Sequence, residues 1–271
     1  SKRYRTLFLS GGPPILKKTG LGKGFESFDD SMALLENPWL KSFRTHAQFF
    51  SNWIDDLGER PFFTVFYVPD LRFLHRTTIN QVGDYRNKSF DSQLEEFDSV
   101  LYELIQSIKK SGRWDQTHFL LVGLQGRNLY DRHEISPHTN LHSESTQVGV
   151  LWKPAQTKRD APVSWTMDRN ISLADIGNTL FDLFGYRPPQ GKLETASLAR
   201  SLKKPESAFR SSRIHLLESA WAHWRLGTSI QTNLLLDEEL YFHDRNPRLY
   251  RTLSDRLEIN PIYSSESSNV S

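Results

Sequence analysis

Three short apolar runs alternate with amphipathic helical segments, and this alternation constrains the fold more than any other feature. Residues 4–9 read YRTLFL, 61–68 read PFFTVFYV and 117–123 read THFLLVG. Runs of this length, rich in aromatic and β-branched residues, predict strands of a parallel sheet covered on both faces. Between the first two runs, Asn37-Pro38 signals a helix start with Pro at its first position. Phe43, Ala47, Phe50, Ile54 and Leu57 then fall three and four apart on one face, and Gly58 closes the helix. Residues 91–111 predict a second helix. Its stripe is Leu94, Phe97, Leu101, Leu104 and Ile108, with Lys109 and Lys110 at the negative end of its dipole and Gly112 as cap. Strand, helix, strand in this order predicts a right-handed βαβ unit.

The rest of the chain is read from punctuation. Ser10-Gly11-Gly12-Pro13-Pro14 is a turn; its prolines lack N–H donors and no Lys-Ser/Thr pair follows, which excludes a P-loop. Residues 18–30 read as a loop anchored by Phe25 and Phe28, residues 70–84 as a polar loop and residues 127–144 as a His-rich loop. Residues 147–152 predict a strand. Ser172 with Asp175 predicts a capping box opening a helix whose stripe is Leu173, Ile176, Leu180, Leu183 and Phe184, ended by Gly185. Residues 191–212 read as a linker and 213–242 as a small antiparallel sheet. Asn246-Pro247 suggests one more helix over 246–257, and 264–271 is a polar tail expected to be disordered.

Composition narrows the function classes. Lys and Arg total 34 against 32 Asp and Glu, a formal charge of +2, so long-range attraction to nucleic acid is not the main design. Aromatic residues make up 12% of the chain, which argues for a packed core rather than disorder. With no cysteine there are no disulfides, thiolate metal sites or cysteine nucleophiles. No run reaches the roughly 18 apolar residues of a membrane helix. Residues 1–9 lack the long apolar region and cleavage site of a signal peptide, so the chain reads as starting within a fold. The sequons at Asn87, Asn170 and Asn269 are about what chance gives.

In an open parallel sheet, ligands bind at the C-terminal ends of the strands. Residues 10–14, 70–75 and 123–128 qualify. His133, Glu134, His138, His142 and Glu144 raise the question of a metal, with His133, His138 and His142 as weak candidates. Ser136-Pro137 breaks any helix there, so hydrogen-bonded or solvated loop histidines are the plainer reading. Lys203, Lys204, Arg210 and Arg213 form a basic stretch suited to a solvated linker or to an anion. No G-x-S-x-G elbow exists.

Segments spread through almost the whole chain, in order, carry a family resemblance. They are Arg5-Thr6 with Gly24-Phe25-Glu26-Ser27-Phe28; Pro61-Phe62-Phe63-Thr64-Val65; Asp70-Leu71-Arg72; and Tyr85 with the helix bearing Asp98. Then come Trp114-Asp115-Gln116-Thr117, Gly123-Leu124-Gln125-Gly126, residues 141–148, ISLADIGNTLFDLFG at 171–185, and Glu239-Leu240-Tyr241 with Asn246-Pro247. This order resembles the sulfatase family of the alkaline-phosphatase-like superfamily. The resemblance implies an α/β fold, a mostly parallel sheet flanked by helices, with a small C-terminal antiparallel sheet subdomain. The expected domains are residues 1–205, the subdomain 206–263 and the tail 264–271.

The resemblance also implies what is lost. Active sulfatases carry a formylglycine nucleophile in a Cys/Ser-x-Pro-x-Arg segment, with two acidic metal ligands just before it. This chain is expected to begin after that segment. Leu124 stands where a metal-ligating Asp is expected, and Gln125 where the family has His or Asn. Arg72 stands for a sulfate-binding His, with His75 as its substitute if the loop is longer, and His138 for a sulfate-contacting Lys. Leucine cannot coordinate a divalent cation. The expectation is a degenerate sulfatase-like protein without catalytic residues, a pseudoenzyme acting as an anion- or glycan-binding or structural module, in which Arg72, His75, Gln125 and His138 could still hold an anion. Its partner would be a sulfated or phosphorylated small molecule or glycan. No cofactor is expected, and Ca or Mg only if the alternative holds: part of an active sulfuric or phosphoric ester hydrolase whose nucleophile segment is missing from this chain. By resemblance the compartment is periplasmic or otherwise extracytoplasmic.

Overall fold

The computed structural model describes residues 4–31, 40–71, 90–126, 141–156, 164, 166–167, 170–187, 196–199, 201 and 213–264. The chain divides into two compact units, Ser1–Thr117 with Ala155–Lys158, and His118–Pro154 with Arg159–Ser271.

The first unit is a parallel sheet covered by helices. It contains β1 (Arg5–Ser10), a 3₁₀ turn (Lys17–Thr19), β2 (Ser27–Asp29), α1 (Phe43–Asp55), β3 (Phe62–Tyr67) and α2 (Phe90–Lys110). The strand order is β2-β1-β3, with both pairings parallel. Central β1 is the most enclosed strand: Leu7, Leu9 and Ser10 are fully buried. The more apolar β3 is half-buried along its length, because position in the ladder, not hydropathy alone, sets burial. Residues 27–29, expected as loop, form a strand because Phe28 stacks on Phe8 at 4.6 Å and Phe25 meets the same ring edge-on at 5.3 Å.

Helix α1 buries the face its sequence predicts. Phe43, Ala47, Phe50, Ile54 and Leu57 are all enclosed, and full burial of each large side chain contributes roughly 2 kcal/mol. Phe50 meets Phe66 of β3 at 5.3 Å, and Phe43 stacks on Phe97 of α2 at 5.1 Å. The Asn37-Pro38 start lies outside the described residues. The helix opens at Ser42, whose hydroxyl accepts the Thr45 N–H. In α2 the buried line runs through Val100, Leu104 and Ile108; Leu94, assigned to the stripe from spacing, is largely exposed.

The second unit contains β4 (Phe119–Val122), α3 (Ser143–Thr146), β5 (Val150–Lys153), α4 (Leu173–Leu183), β6 (Ile214–Ser219), α5 (Trp221–Leu226), β7 (Gln231–Leu236), β8 (Glu239–His243), β9 (Arg248–Arg251) and β10 (Tyr263–Ser264). Strand β4 pairs antiparallel with β5, Phe119 opposite Lys153 and Val122 opposite Val150. The described residues show no parallel ladder for β4, so the expected mostly parallel sheet reduces to three parallel strands.

The antiparallel sheet expected after residue 213 is present, in the order β10-β9-β8-β7-β6. Leu240, Phe242 and Tyr250 form its core, with Leu217 and Leu235 packed against them. The helix expected over 246–257 is a strand followed by turns. Leu249, Leu253 and Leu257 imitate helical spacing, but Leu253 and Leu257 are exposed, while pairing of β9 with β8 buries Tyr250 opposite Leu240. Helix α4 has its capping box, Ser172 with Asp175. Its buried face is Asp175, Ile176 and Thr179 rather than a purely apolar stripe, and Leu173 and Phe184 are exposed. The reason lies in the expected linker. Leu198 and Ser201 are buried, the Ala196 N–H donates to Asp175 and the Leu198 N–H to Thr179 Oγ1, so this piece of 191–212 is part of the fold. Of the tail expected over 264–271, Ser264 ends β10 opposite Arg248, and 265–271 lie outside the described residues. Among the described residues no helix is long and apolar enough to cross a membrane.

Candidate functional site

In the first unit, the ends of all three parallel strands converge on the first turn of α1. After β1, the Gly11 carbonyl accepts the Lys41 N–H at 2.9 Å. At the end of β2, Asp29 accepts from Lys41 Nζ at 2.6 Å, and Ser31 Oγ lies 3.1 Å from the same ammonium. After β3, Asp70 Oδ1 accepts the Phe43 N–H at 3.0 Å, placing a carboxylate at the positive end of the helix. The strands are held close there: Gly11 donates to Tyr67 O at 2.8 Å, and a Cβ on Gly11 would lie 2.3 Å from Pro69 Cδ. The edge where the crevice rule seeks a ligand is thus spanned by a polar clasp.

Electrostatics follow from this packing. Burial pushes the Asp29 carboxyl up, but the hydrogen bonds from Lys41 and Ser31 and the Lys41 charge outweigh it and hold the group below its ordinary value. His46, one turn into α1, is fully buried, and neither ring nitrogen has a hydrogen-bond partner. Burial first and the Lys41 charge second push its pKa down to about 4, against an opposing pull from Asp29. The imidazole is neutral at physiological pH.

In the second unit, the loop after β4 is pinned at two glycines. Gly123 donates to Gly149 O at 2.9 Å and Gly126 to Ser145 O at 3.1 Å. A Cβ on Gly126 would sit 2.2 Å from Glu144 O, so only glycine fits against α3. Between these anchors Leu124 and Gln125 are exposed; Leu124 retains 65% of its accessible surface. This is where the resemblance puts a divalent metal, and the two residues do not fit one. Hard divalent cations take several oxygen ligands; Leu124 offers no donor atom and Gln125 one neutral carbonyl oxygen.

Of the other residues singled out from sequence, Arg72, His75, His133 and His138 lie outside the described residues. His142 is described and buried. Its Nδ1 bonds Glu258, whose other oxygen accepts the Ser143 N–H at 3.0 Å, and its ring lies 4.5 Å from Phe242. Burial pushes Glu258 up, but the His142 and Ser143 contacts outweigh it and hold the carboxyl below its ordinary value. His142 thus joins the start of α3 to the chain beyond β9. Among the described residues no group of three His, Asp or Glu side chains is placed to hold a metal ion. Of the three strand-end segments, 10–14 and Asp70 meet at the clasp, and 123–126 belongs to the second unit. Lys41, Asp29 and Glu258 carry no sequence signal. His46 had one, since it sits three residues after Phe43 and four before Phe50 on the apolar face of α1.

No protein-family model and no curated protein matches the chain. Solved structures do. A 2-O glycosaminoglycan sulfatase, BT1596, superposes with a TM-score of 0.66 at 12% identity, covering 98% of this chain and 68% of that one. Ps i-CgsB in complex with k-i-k-neocarrahexaose gives 0.63 at 12% identity, covering 99% and 69%. A Bacteroides thetaiotaomicron sulfatase structure tied to the metabolism of multiple glycosaminoglycans, BT33494S-sulf, gives 0.59 at 15% identity, covering 86% and 57%. At such low identity the likeness speaks to architecture alone: the chain has a sulfatase-like fold.

Proposed function

We propose that this chain is a catalytically degenerate sulfatase-like protein that binds a sulfated or phosphorylated glycan or small molecule without hydrolysing it. The observation that carries this reading is Leu124. A pinned loop holds it at the end of β4, at the position where the resemblance implies a metal-ligating aspartate. A sulfate ester needs charge stabilisation of its transition state, and a bound cation supplies several kcal/mol of it. A leucine at that place supplies none. Arg72, His75, Gln125 and His138 remain the proposed anion contacts, because guanidinium, imidazole and amide N–H groups bind an oxyanion without a metal. The solved structures of a 2-O glycosaminoglycan sulfatase and of Ps i-CgsB in complex with k-i-k-neocarrahexaose support a sulfated glycan as the ligand class. An extracytoplasmic location goes with that ligand.

The test is sulfate and phosphate release from sulfated oligosaccharides and aryl esters. The proposal expects none above background. Turnover that Arg72→Ala abolishes would overturn it.

A second reading rests on length, since the chain covers 68% of BT1596. In that reading it is part of an active ester hydrolase whose nucleophile segment, with its Ca or Mg, lies on residues outside this chain. Intact mass of the native protein and a search of its upstream residues for Cys/Ser-x-Pro-x-Arg separate the two. That segment, together with turnover by the longer protein, would favour the second.

A further inference from the structure

The clasp over the parallel sheet encloses a group with no evident structural work. His46 is fully buried and both of its ring nitrogens lack partners. Leaving polar atoms unpaired in a core is unfavourable, so an apolar residue would pack there more favourably. The place is specific. One turn before it, Lys41 joins β1 through the Gly11 carbonyl and β2 through Asp29, and Phe43 joins the end of β3 through Asp70.

From these contacts we infer that His46 is an acid-sensitive release for this clasp: protonating its enclosed ring favours a state in which the first turn of α1 lifts from the strand ends.

The charged groups around it set the direction. Lys41 repels an imidazolium and Asp29 attracts it; burial outweighs both. Asp29 stays ionised as pH falls because its carboxyl is held below its ordinary value, so it continues to bind Lys41 while the ring titrates. Asp70 is engaged by the Phe43 N–H. Arg44 turns outward to Glu96 and Glu103 of α2. None of these accepts a hydrogen bond from the His46 ring. An added proton is therefore accommodated more readily in an open state, where water reaches the imidazole.

The sign and size follow from linkage. The ring's ordinary pKa is 6.5 and its folded value about 4. The closed state is therefore favoured fully above 6.5, and the preference is lost as pH falls from there toward 4. At about pH 4.5 the opening equilibrium rises roughly 60-fold over its value at neutral pH.

Hydrogen exchange of the whole chain, read on the peptide covering residues 41–50 and corrected for intrinsic rates, tests this. The wild type should lose roughly 60-fold in protection between neutral pH and about 4.5. His46→Leu and His46→Gln, which cannot titrate, should remove that dependence. A dependence equal in wild type and both variants, or none in the wild type, overturns the inference. Should a variant fail to fold, an NMR titration of the wild-type His46 ring decides. A midpoint near 4 supports the release; one near 6.5 overturns it.

Discussion

Asp175 and Arg213 meet in a two-pronged pair, Nη1 to Oδ1 at 3.0 Å and Nη2 to Oδ2 at 2.6 Å, with the carboxylate side chain fully enclosed. The same carboxylate accepts the Ser172 N–H at 2.9 Å, closing the capping box, and the Ala196 N–H at 2.7 Å. One side chain therefore ties the start of α4, the 196–198 segment and the start of β6. Removing one partner strands the other. Asp175→Asn or Arg213→Met should each cost about 3 kcal/mol of stability, and the double variant should lose less than the sum of the two. Urea unfolding followed by circular dichroism measures this. Additive losses would show that the two residues act separately.

Glu258 makes a second tie of this kind within the unit. It is buried, holds a left-handed φ of 52°, and binds His142 and the Ser143 N–H. Because its folded pKa lies below the ordinary 4.5, its contribution is present above pH 4.5 and is lost as pH falls through the folded value. Glu258→Gln should be less stable than wild type at neutral pH by about 1–3 kcal/mol, and the gap should close in acid. Thermal melts across this range report it. A gap independent of pH would mean that the charge plays no part.

The glycine anchors predict local strain. Gly126→Ala puts a methyl group 2.2 Å from a backbone carbonyl oxygen. Backbone has to move, at about 2 kcal/mol or more. Gly149→Ala, with nothing within 4 Å of its added Cβ, is the control and should stay within about 0.5 kcal/mol. Equal melting temperatures for Gly126→Ala and wild type would show that the loop yields freely.

Much of the fold was legible in the sequence because local patterns and tertiary packing agreed. The α1 face, the Ser172–Asp175 box and the C-terminal antiparallel sheet all rest on residues whose neighbours in sequence reveal their role. The misreadings share a cause. Asn246-Pro247 looks like a helix start until β8 claims Tyr250. Residues 196–201 look like linker because polar atoms of Asp175 and Thr179 hold them, and hydropathy does not register such bonds. Strand β2 forms through aromatic stacking on β1, a contact about 20 residues away in sequence. The role expected of Leu124 rests on motif order; the structure shows the residue exposed between Gly123 and Gly126. The Lys41–Asp29 clasp and the His142–Glu258 tie were not legible, since each joins residues whose spacing carries no pattern.

Binding without turnover is the central claim, and one calorimetric titration tests it most directly. Matched sulfated and desulfated glycosaminoglycan or carrageenan oligosaccharides are titrated into the purified chain, and free sulfate is assayed in the same cell afterwards. The account predicts binding of the sulfated oligosaccharide at least about tenfold tighter than of its desulfated partner, roughly 1.4 kcal/mol, with no sulfate released. Equal affinities, no binding of either, or released sulfate would contradict it.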